Sequence, residues 1–328
     1  MVQSIQYFAE AQGPCEWYRC STPGRALARR GYAVAVDENV TIAGLDAADV
    51  VVFSRRHDQN IGEMIRYCKE RGKLTVFELD DDLWNVHPDS PSAQHYPRPV
   101  MSAIETGLRE SDLVTTTTAH LARRLRPFNR TVRVLPNMLP DDYWSFAEPR
   151  EQSDDRIVIG WAGTNTHLAD LKLLSGVIEQ VLDAYPFVEF AWSGMSEVPF
   201  RDHVRARPIP PVPIEHYPEL LANFHIGLAP LVDSTFNQAK SDLKFLEYAR
   251  LGIPVIASRT ESYEHSVEHG VNGLLARNAK DWLKCLNRLI RDVGLRRTMG
   301  ANAQEWAETR MMSTNVGLWE EAYGLVAQ

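Results

Sequence analysis

At 328 residues the chain is long enough for two domains of roughly 100–200 residues each and for a large core. A net charge of −8 offers no basic field to a nucleic-acid backbone, and the four cysteines, Cys15, Cys20, Cys68 and Cys285, fall at no zinc or CxxC spacing, which fits a reducing cytoplasm. No run approaches the ~18 apolar residues of a membrane span and MVQSIQYFAEAQG carries no basic leader, so a soluble protein with at most peripheral membrane contact is expected.

Short apolar runs alternate with helical patterns from end to end, the layout of βαβ units and a parallel sheet covered on both faces. SIQYFA (4–9) reads as the first strand, EAQGPCEWYRCST as a loop, and TPGRALARRG as a helix with Thr22 at its N-cap, Pro23 in its first turn and Gly31 just past its end. AVAVD (33–37) and DVVVF (49–53) are further strands. IGEMIRYCKERG is an amphipathic helix closed by Gly72, and it leads into LTVFEL, a strand that stops on Asp80, Asp81 and Asp82. A Pro-rich connection (85–99), helix VMSAIETGLRES, strand DLVTTTT, helix AHLARRLRPF and strand TVRVLPN complete a first domain over 1–145.

The stretch PDDYWSFAEPREQSDD is polar, acidic and aperiodic, so 146–155 reads as an interdomain linker. A second α/β series over 156–308 follows: strand IVIGWAG (157–163) with its glycine turn, helix LADLKLLSGVIEQVLDAY, strand VEFAWSG, short helix PELLANF, strand IGLAPL, helix KSDLKFLEYARLG and buried strand PVIAS. In the last stretch, 309–328, Leu318, Trp319, Ala322, Tyr323 and Val326 lie at helical spacing. The fold class expected is α/β, with two Rossmann-like, doubly wound parallel-sheet domains. Such domains hold ligands at the carboxyl ends of their strands, which would place the site in a cleft between them.

The segment FNQAKSDLKFLEYARLGIPVIAS (236–258) is the most informative. In a helix starting near Lys240, residues Lys240, Lys244 and Glu247 share one stripe, where two ammonium groups beside free helix N–H groups would seat a diphosphate and the carboxylate would take ribose hydroxyls. A solvated helix face with one Lys–Glu pair fits the same spacing. No nucleophile elbow, zinc-protease helix, phosphate-loop or dinucleotide fingerprint occurs.

That segment, together with EHGVNGLLA (268–276), resembles the donor domain of GT-B glycosyltransferases, specifically glycosyltransferase family 4. IVIGWAGTNTH and TVRVLPNMLPDD resemble the family's domain start and its end-of-first-domain segment. The resemblance implies that Glu247 binds the donor ribose and that Lys240 and Lys244 meet the diphosphate, with Gly163, Thr164 and His167 completing the donor site. It also implies a C-terminal helix crossing back to the first domain. The family's first glutamate falls at Ala239, so the donor sugar must be contacted differently, with Lys240, His167 and Asp170 as candidates. The helix K-S-D-L-K-x-x-E-Y and the strand ending D-D-D-L-W are similar to a bacterial and phage-type subset associated with surface polysaccharide.

In the first domain, Gly13 stands where such enzymes bring a glycine-bearing loop near the donor, and an ordinary turn glycine reads equally well. Arg19, Arg55 and Arg56 are candidates for acceptor binding, with salt bridges as the alternative. His57, Asp80 and Asp82 are candidates for gripping an acceptor hydroxyl or taking its proton; Asp81, on the other pleat, reads as structural, and Asp82 alternatively caps the turn over Leu83 and Trp84.

The function this implies is retaining transfer of a sugar from a UDP- or GDP-type donor to a glycan, lipid-linked or other hydroxyl, without metal or other cofactor. Two alternatives stand: a metal-dependent GT-A-type transferase using Asp80–Asp82, and a non-catalytic nucleotide-sugar binding protein. Modified phage DNA as acceptor is disfavoured by the acidic balance.

Overall fold

Runs of Val, Ile and Phe with glycine-bounded helices between them fold as the pattern dictates, into two parallel sheets. The computed structural model describes residues 3–87, 90, 92–144 and 155–325; the linker expected at 146–155 lies outside the described residues except for Asp155, as does Val326. One compact unit comprises Met1–Pro140, Ala239–Ser241 and Met311–Gln328, and the other Asp141–Gln238 and Asp242–Arg310.

The first sheet contains β1 (Ser4–Ala9), β2 (Ala33–Asp37), β3 (Val50–Ser54), β4 (Leu74–Glu78), β5 (Leu113–Thr116) and β6 (Val132–Val134), all parallel, in the order β2-β1-β3-β4-β5-β6. Strand residues alternate between two cores. Phe8, Val51, Phe53, Phe77 and Val114 pack on one face, while Ile5, Tyr7, Val50, Val52, Val76 and Leu113 pack on the other. The second face is closed by the end of the chain, where Met312, Val316, Trp319 and Tyr323 join the core. Leu318, expected to face inward with them, is exposed, and the single helix expected there is two short ones, Met312–Asn315 and Gly317–Ala322.

The second sheet contains β7 (Ile157–Ala162), β8 (Val188–Ser193), β9 (Ala206–Ile209), β10 (Ile226–Ala229), β11 (Val255–Ser258) and β12 (Leu274–Ala276), in the order β12-β11-β10-β7-β8-β9. Chain order reverses between β1 and β3 in the first sheet and between β7 and β10 in the second. Those are the points at which loops diverge and leave a crevice at the carboxyl ends.

Several elements differ from expectation. The loop expected at 10–22 is helical from Pro14: Pro14–Glu16, a wider turn Trp17–Ser21 and then Thr22–Arg29. Pro14 opens the helix at a position where a missing N–H costs nothing, and the Thr22 N–H reaches back to the Trp17 carbonyl in an i→i+5 bond just before Pro23, which has no N–H to give. Thr22 is therefore inside a helix and caps nothing. The helix expected over LADLKLLSGVIEQVLDAY breaks at Gly176 (φ 76) into Leu168–Lys172 and Val177–Ala184. Helix Ile42–Ala47 and strands β9 and β12 went unforeseen; β9 and β12 are short edge strands, and Pro208 is tolerated in β9 because only one side of that strand is paired. Among the described residues no helix is long and apolar enough to cross a membrane.

Gly160, in β7, faces Phe224 so closely that an added Cβ would lie 2.0 Å from the ring. Gly160→Ala is expected to lower unfolding free energy by about 2–3 kcal/mol through overpacking, read from urea unfolding, with partial recovery in Gly160→Ala/Phe224→Leu.

Candidate functional site

In the second unit the carboxyl end of β7 is fixed by one helix, Leu243–Arg250. The Ala162 N–H donates to Tyr248 Oη at 3.2 Å, and the Ala162 carbonyl accepts from Lys244 Nζ at 2.9 Å. The ammonium lies 5.3 Å from the Trp161 ring centroid, over its face. The Lys244 ammonium therefore lies directly at the Gly163 turn. That turn is built on close approach: a Cβ at Gly163 would lie 2.8 Å from Lys244 Nζ, and one at Gly194 (φ 86) would lie 1.8 Å from the Gly163 carbonyl oxygen. Only glycine at 194 lets the two backbones touch.

His167 stands against the same Trp161 ring, edge-on at 6.1 Å. Its Nδ1 meets Asp170 Oδ2 at 2.7 Å, which orients the ring. Asp170 is buried, and its other oxygen accepts from the Val232 N–H and from Asn237 Nδ2, both at 2.8 Å. Asp170 thus ties the His167 ring to the Val232 and Asn237 loop. Thr164 is exposed beside Thr166, their hydroxyls 2.8 Å apart. Glu247 is 5% exposed and lies beside the Tyr217 hydroxyl, which burial first and that carboxylate second push well above the usual phenol range. Gly163, Thr164, His167 and Lys244 therefore come together; Glu247 sits beneath them on the same helix.

Lys240 does not. The helix begins at Leu243, so Lys240, Lys244 and Glu247 share no stripe, and Ala239–Ser241 belongs to the first unit. Ala239 is fully buried in that unit's core, and its carbonyl accepts from Thr118 Oγ1 at 3.0 Å. Ser241 Oγ accepts from Asn137 Nδ2 at 2.9 Å, and Lys240 Nζ reaches Asp81 Oδ1 at 3.4 Å. The assignment of Lys240 to the helix's first turn is corrected: it precedes the helix, and its ammonium pairs with Asp81. Ala239 is a core residue, so nothing at that position would point at a sugar.

In the first unit the ends of β1, β3 and β4 meet around Arg55. It is the one non-glycine residue with positive φ (54°) among the described residues, a conformation costing about 1–2 kcal/mol. Its N–H donates to the Glu78 carbonyl at 2.9 Å, and its guanidinium meets Glu10 at 3.2 Å, Asp80 at 2.9 Å, Asp81 at 3.6 Å and the Tyr96 hydroxyl. Burial, the largest single influence, would raise the Asp80 carboxyl; the Arg55 charge, together with the Cys15 hydrogen bond and the Arg19 charge, outweighs it and holds the group below the usual range. His57, half-buried, stands 3.6 Å from Glu10 through Nδ1. Gly13 (φ 152), before the helix at Pro14, takes a backbone conformation that only glycine adopts readily, with nothing near its missing Cβ.

Arg19, Arg56 and Asp82 are each engaged by neighbours within the first unit. Arg19 is 3% exposed, its Nε on Glu78 at 2.7 Å and its Nη1 on the Leu135 carbonyl and Asn137 Oδ1 at 2.8 and 3.0 Å, so it is a structural ion pair and no acceptor contact. Arg56 forms a fork on Asp58 (2.8 and 2.6 Å) and ties the Ala9 and Glu38 carbonyls together. Asp82 is 1% exposed and accepts from Asn85 Nδ2 at 2.8 Å, with Arg124 at 3.8 Å and Leu83 buried beside it. Asp81, set aside as structural, is the partly exposed carboxylate. Glu10 and Tyr96 were missed; the signal available for Glu10 was a carboxylate directly after a strand at the switch point. Asp80 and Asp81 share Arg55 while Asp82 faces elsewhere, and among the described residues no three His, Cys, Asp or Glu side chains converge as a metal site.

Comparison with known proteins agrees with this geometry. Residues 157–292 match the family model "Glycosyl transferases group 1". Sucrose-phosphate synthase from Thermosynechococcus elongatus superposes with a TM-score of 0.73 at 14% identity, covering 98% of this chain and 99% of that one. The fold is GT-B. Anabaena HepE in complex with UDP and glucose gives 0.69 at 14% identity (99% and 100% covered), and a glycosyltransferase from Rickettsia africae gives 0.68 at 11% (98% of each). No curated protein matches the sequence.

Placing a glutamate at position 239, Ala239→Glu, is expected to bury a carboxylate in the first unit's core and cost at least about 3 kcal/mol in urea unfolding. Because the folded Asp80 carboxyl is held low, its contribution to stability is present above about pH 4 and lost as pH falls through the lowered value. Unfolding midpoints measured from about pH 6 to 3 should therefore fall more steeply for the wild type than for Asp80→Asn.

Proposed function

We propose that the protein is a retaining glycosyltransferase that moves a sugar from a nucleoside-diphosphate sugar to a neutral hydroxyl acceptor, without a metal ion or other cofactor. The observation that carries this reading is the Lys244–Gly163–His167 arrangement at the β7 switch point, within the segment that matches the group 1 model. Its chemistry fits a leaving diphosphate. As the glycosidic bond lengthens, negative charge grows on the phosphate oxygen, and a preoriented ammonium and an imidazole braced by Asp170 oppose that charge at little reorganisation cost. HepE's complex with UDP and glucose supports a UDP-type donor.

Retention follows if the acceptor oxygen attacks from the face the phosphate leaves, which requires no enzyme nucleophile. The β1–β3–β4 cluster supports the acceptor side. Glu10, Asp80 and Asp81 outnumber Arg55 and Lys240, so the cluster repels anions and accepts hydrogen bonds from hydroxyls. A carboxylate with a lowered pKa is a weak base, so Asp80 grips the acceptor and His57 takes its proton. A neutral, hydroxyl-rich acceptor is in keeping with a role in surface glycan or other glycoconjugate synthesis.

With UDP- and GDP-sugars and simple glycoside acceptors, Lys244→Ala is expected to cut turnover by about 10²-fold, with EDTA leaving the wild type unchanged. Tight donor binding with no transfer to any acceptor would leave a binding protein instead, and loss of activity in EDTA would overturn the metal-free mechanism.

A further inference from the structure

The second sheet carries a cavity at its other end, two strands away from β7. It lies where β11 and β12 finish, against helix Ala279–Arg291. Its volume is about 200 Å³, well above what a single water molecule needs. Leu274, Leu275 and Cys285 give it an apolar side. The remaining lining is cationic: Arg259 after β11, Arg277 after β12, and Lys284 and Arg288 a turn apart on the helix, with His269 beside them.

Two carboxylates face these cations, and each is already engaged. Asp281 accepts the Arg277 N–H at 3.2 Å in the helix's first turn, and exposed Glu264 pairs with Arg259 at 2.7 Å. In a chain of net charge −8, four cations against two carboxylates leave this concavity net positive. His269 reports on the same field. Its Nδ1 accepts the Leu275 N–H at 2.9 Å, so the neutral ring carries its proton on Nε2. Burial, then Arg259, Arg288 and Lys284, hold the ring below the ordinary imidazole value, which means three of the cations act on one point.

We propose that this cavity binds a phosphate monoester or diphosphate group, as a second anion site separate from Lys244. Guanidinium groups suit the fork geometry of phosphate oxygens, and the neutral His269 ring offers one further N–H. An anion seated there reverses the field on His269, so binding and protonation of that ring reinforce each other.

The test uses inorganic pyrophosphate and the full chain. A ¹H NMR pH titration of His269, assigned by His269→Asn, should show its midpoint rising on addition of pyrophosphate. Calorimetry should show binding that Lys284→Glu/Arg288→Glu weakens at least about tenfold and that survives Lys244→Ala. Lys284→Gln/Arg288→Gln, with melting temperatures compared, repeats the measurement without charge reversal at these exposed positions. Sedimentation with phosphatidic acid vesicles against phosphatidylcholine vesicles distinguishes the source: retention of wild type but not of the double variant identifies a lipid headgroup, whereas pyrophosphate binding without sedimentation identifies a soluble phosphate. An unmoved His269 midpoint, or pyrophosphate binding lost in Lys244→Ala and kept in the charge reversals, overturns the proposal.

Discussion

Parallel strand pairing is the constraint from which the rest follows. Every connection in both sheets must run back over a face to restart at the same edge, so all carboxyl ends, and the loops after them, gather on one side of each sheet. That alone brings Glu10, Arg55 and Asp80, from three strands, within ion-pair reach, and puts Gly163 beside Lys244. The chemistry then depends on what fixes each loop. In the first unit it is the strained Arg55, whose left-handed backbone is offset by the groups its side chain holds; in the second it is the clamp of Lys244 and Tyr248 on the two polar atoms of Ala162.

The contrast between the two sites is electrostatic. The β7 turn presents cationic and N–H groups suited to phosphate, whereas the β1–β3–β4 loops present carboxylates steadied by Arg55. Each guanidinium of Arg19, Arg55 and Arg56 is engaged by carboxylates or carbonyls of the first unit.

Legibility in the sequence tracked the range of the interaction. Periodicity exposed the two α/β series because strand alternation and helix stripes are local, and the glycine turn after IVIGWA was visible for the same reason. What failed was non-local or conformational. Arg19 and Glu78 are 59 residues apart, and nothing local tells a solvent-facing arginine from one buried against such a partner. Ala239 looked like a missing functional group because the polar run FNQAKSD gives no hint that one residue within it enters a distant core. The π turn at Trp17–Ser21 was hidden by residues that read as loop formers, yet Pro14 starts the helix there. The sequence places the Leu243–Arg250 helix three residues early because Lys240 and Ser241 are compatible with helix, whereas they are tied to Asp81 and Asn137.

The tripeptide Ala239–Ser241 has a consequence for dissection of the molecule. The chain leaves the second unit at Gln238, lends three residues to the first, returns at Asp242, and leaves again at Met311. Neither unit is a continuous stretch of sequence. A cut anywhere in 145–154 would give an amino-terminal piece lacking the Ala239 methyl and the Met312, Val316, Trp319 and Tyr323 side chains that complete its two cores. The carboxyl-terminal piece would carry those same apolar groups with nothing to cover them. The two pieces would have to be made together, each supplying part of the other's interior, as complementing fragments rather than as separable domains.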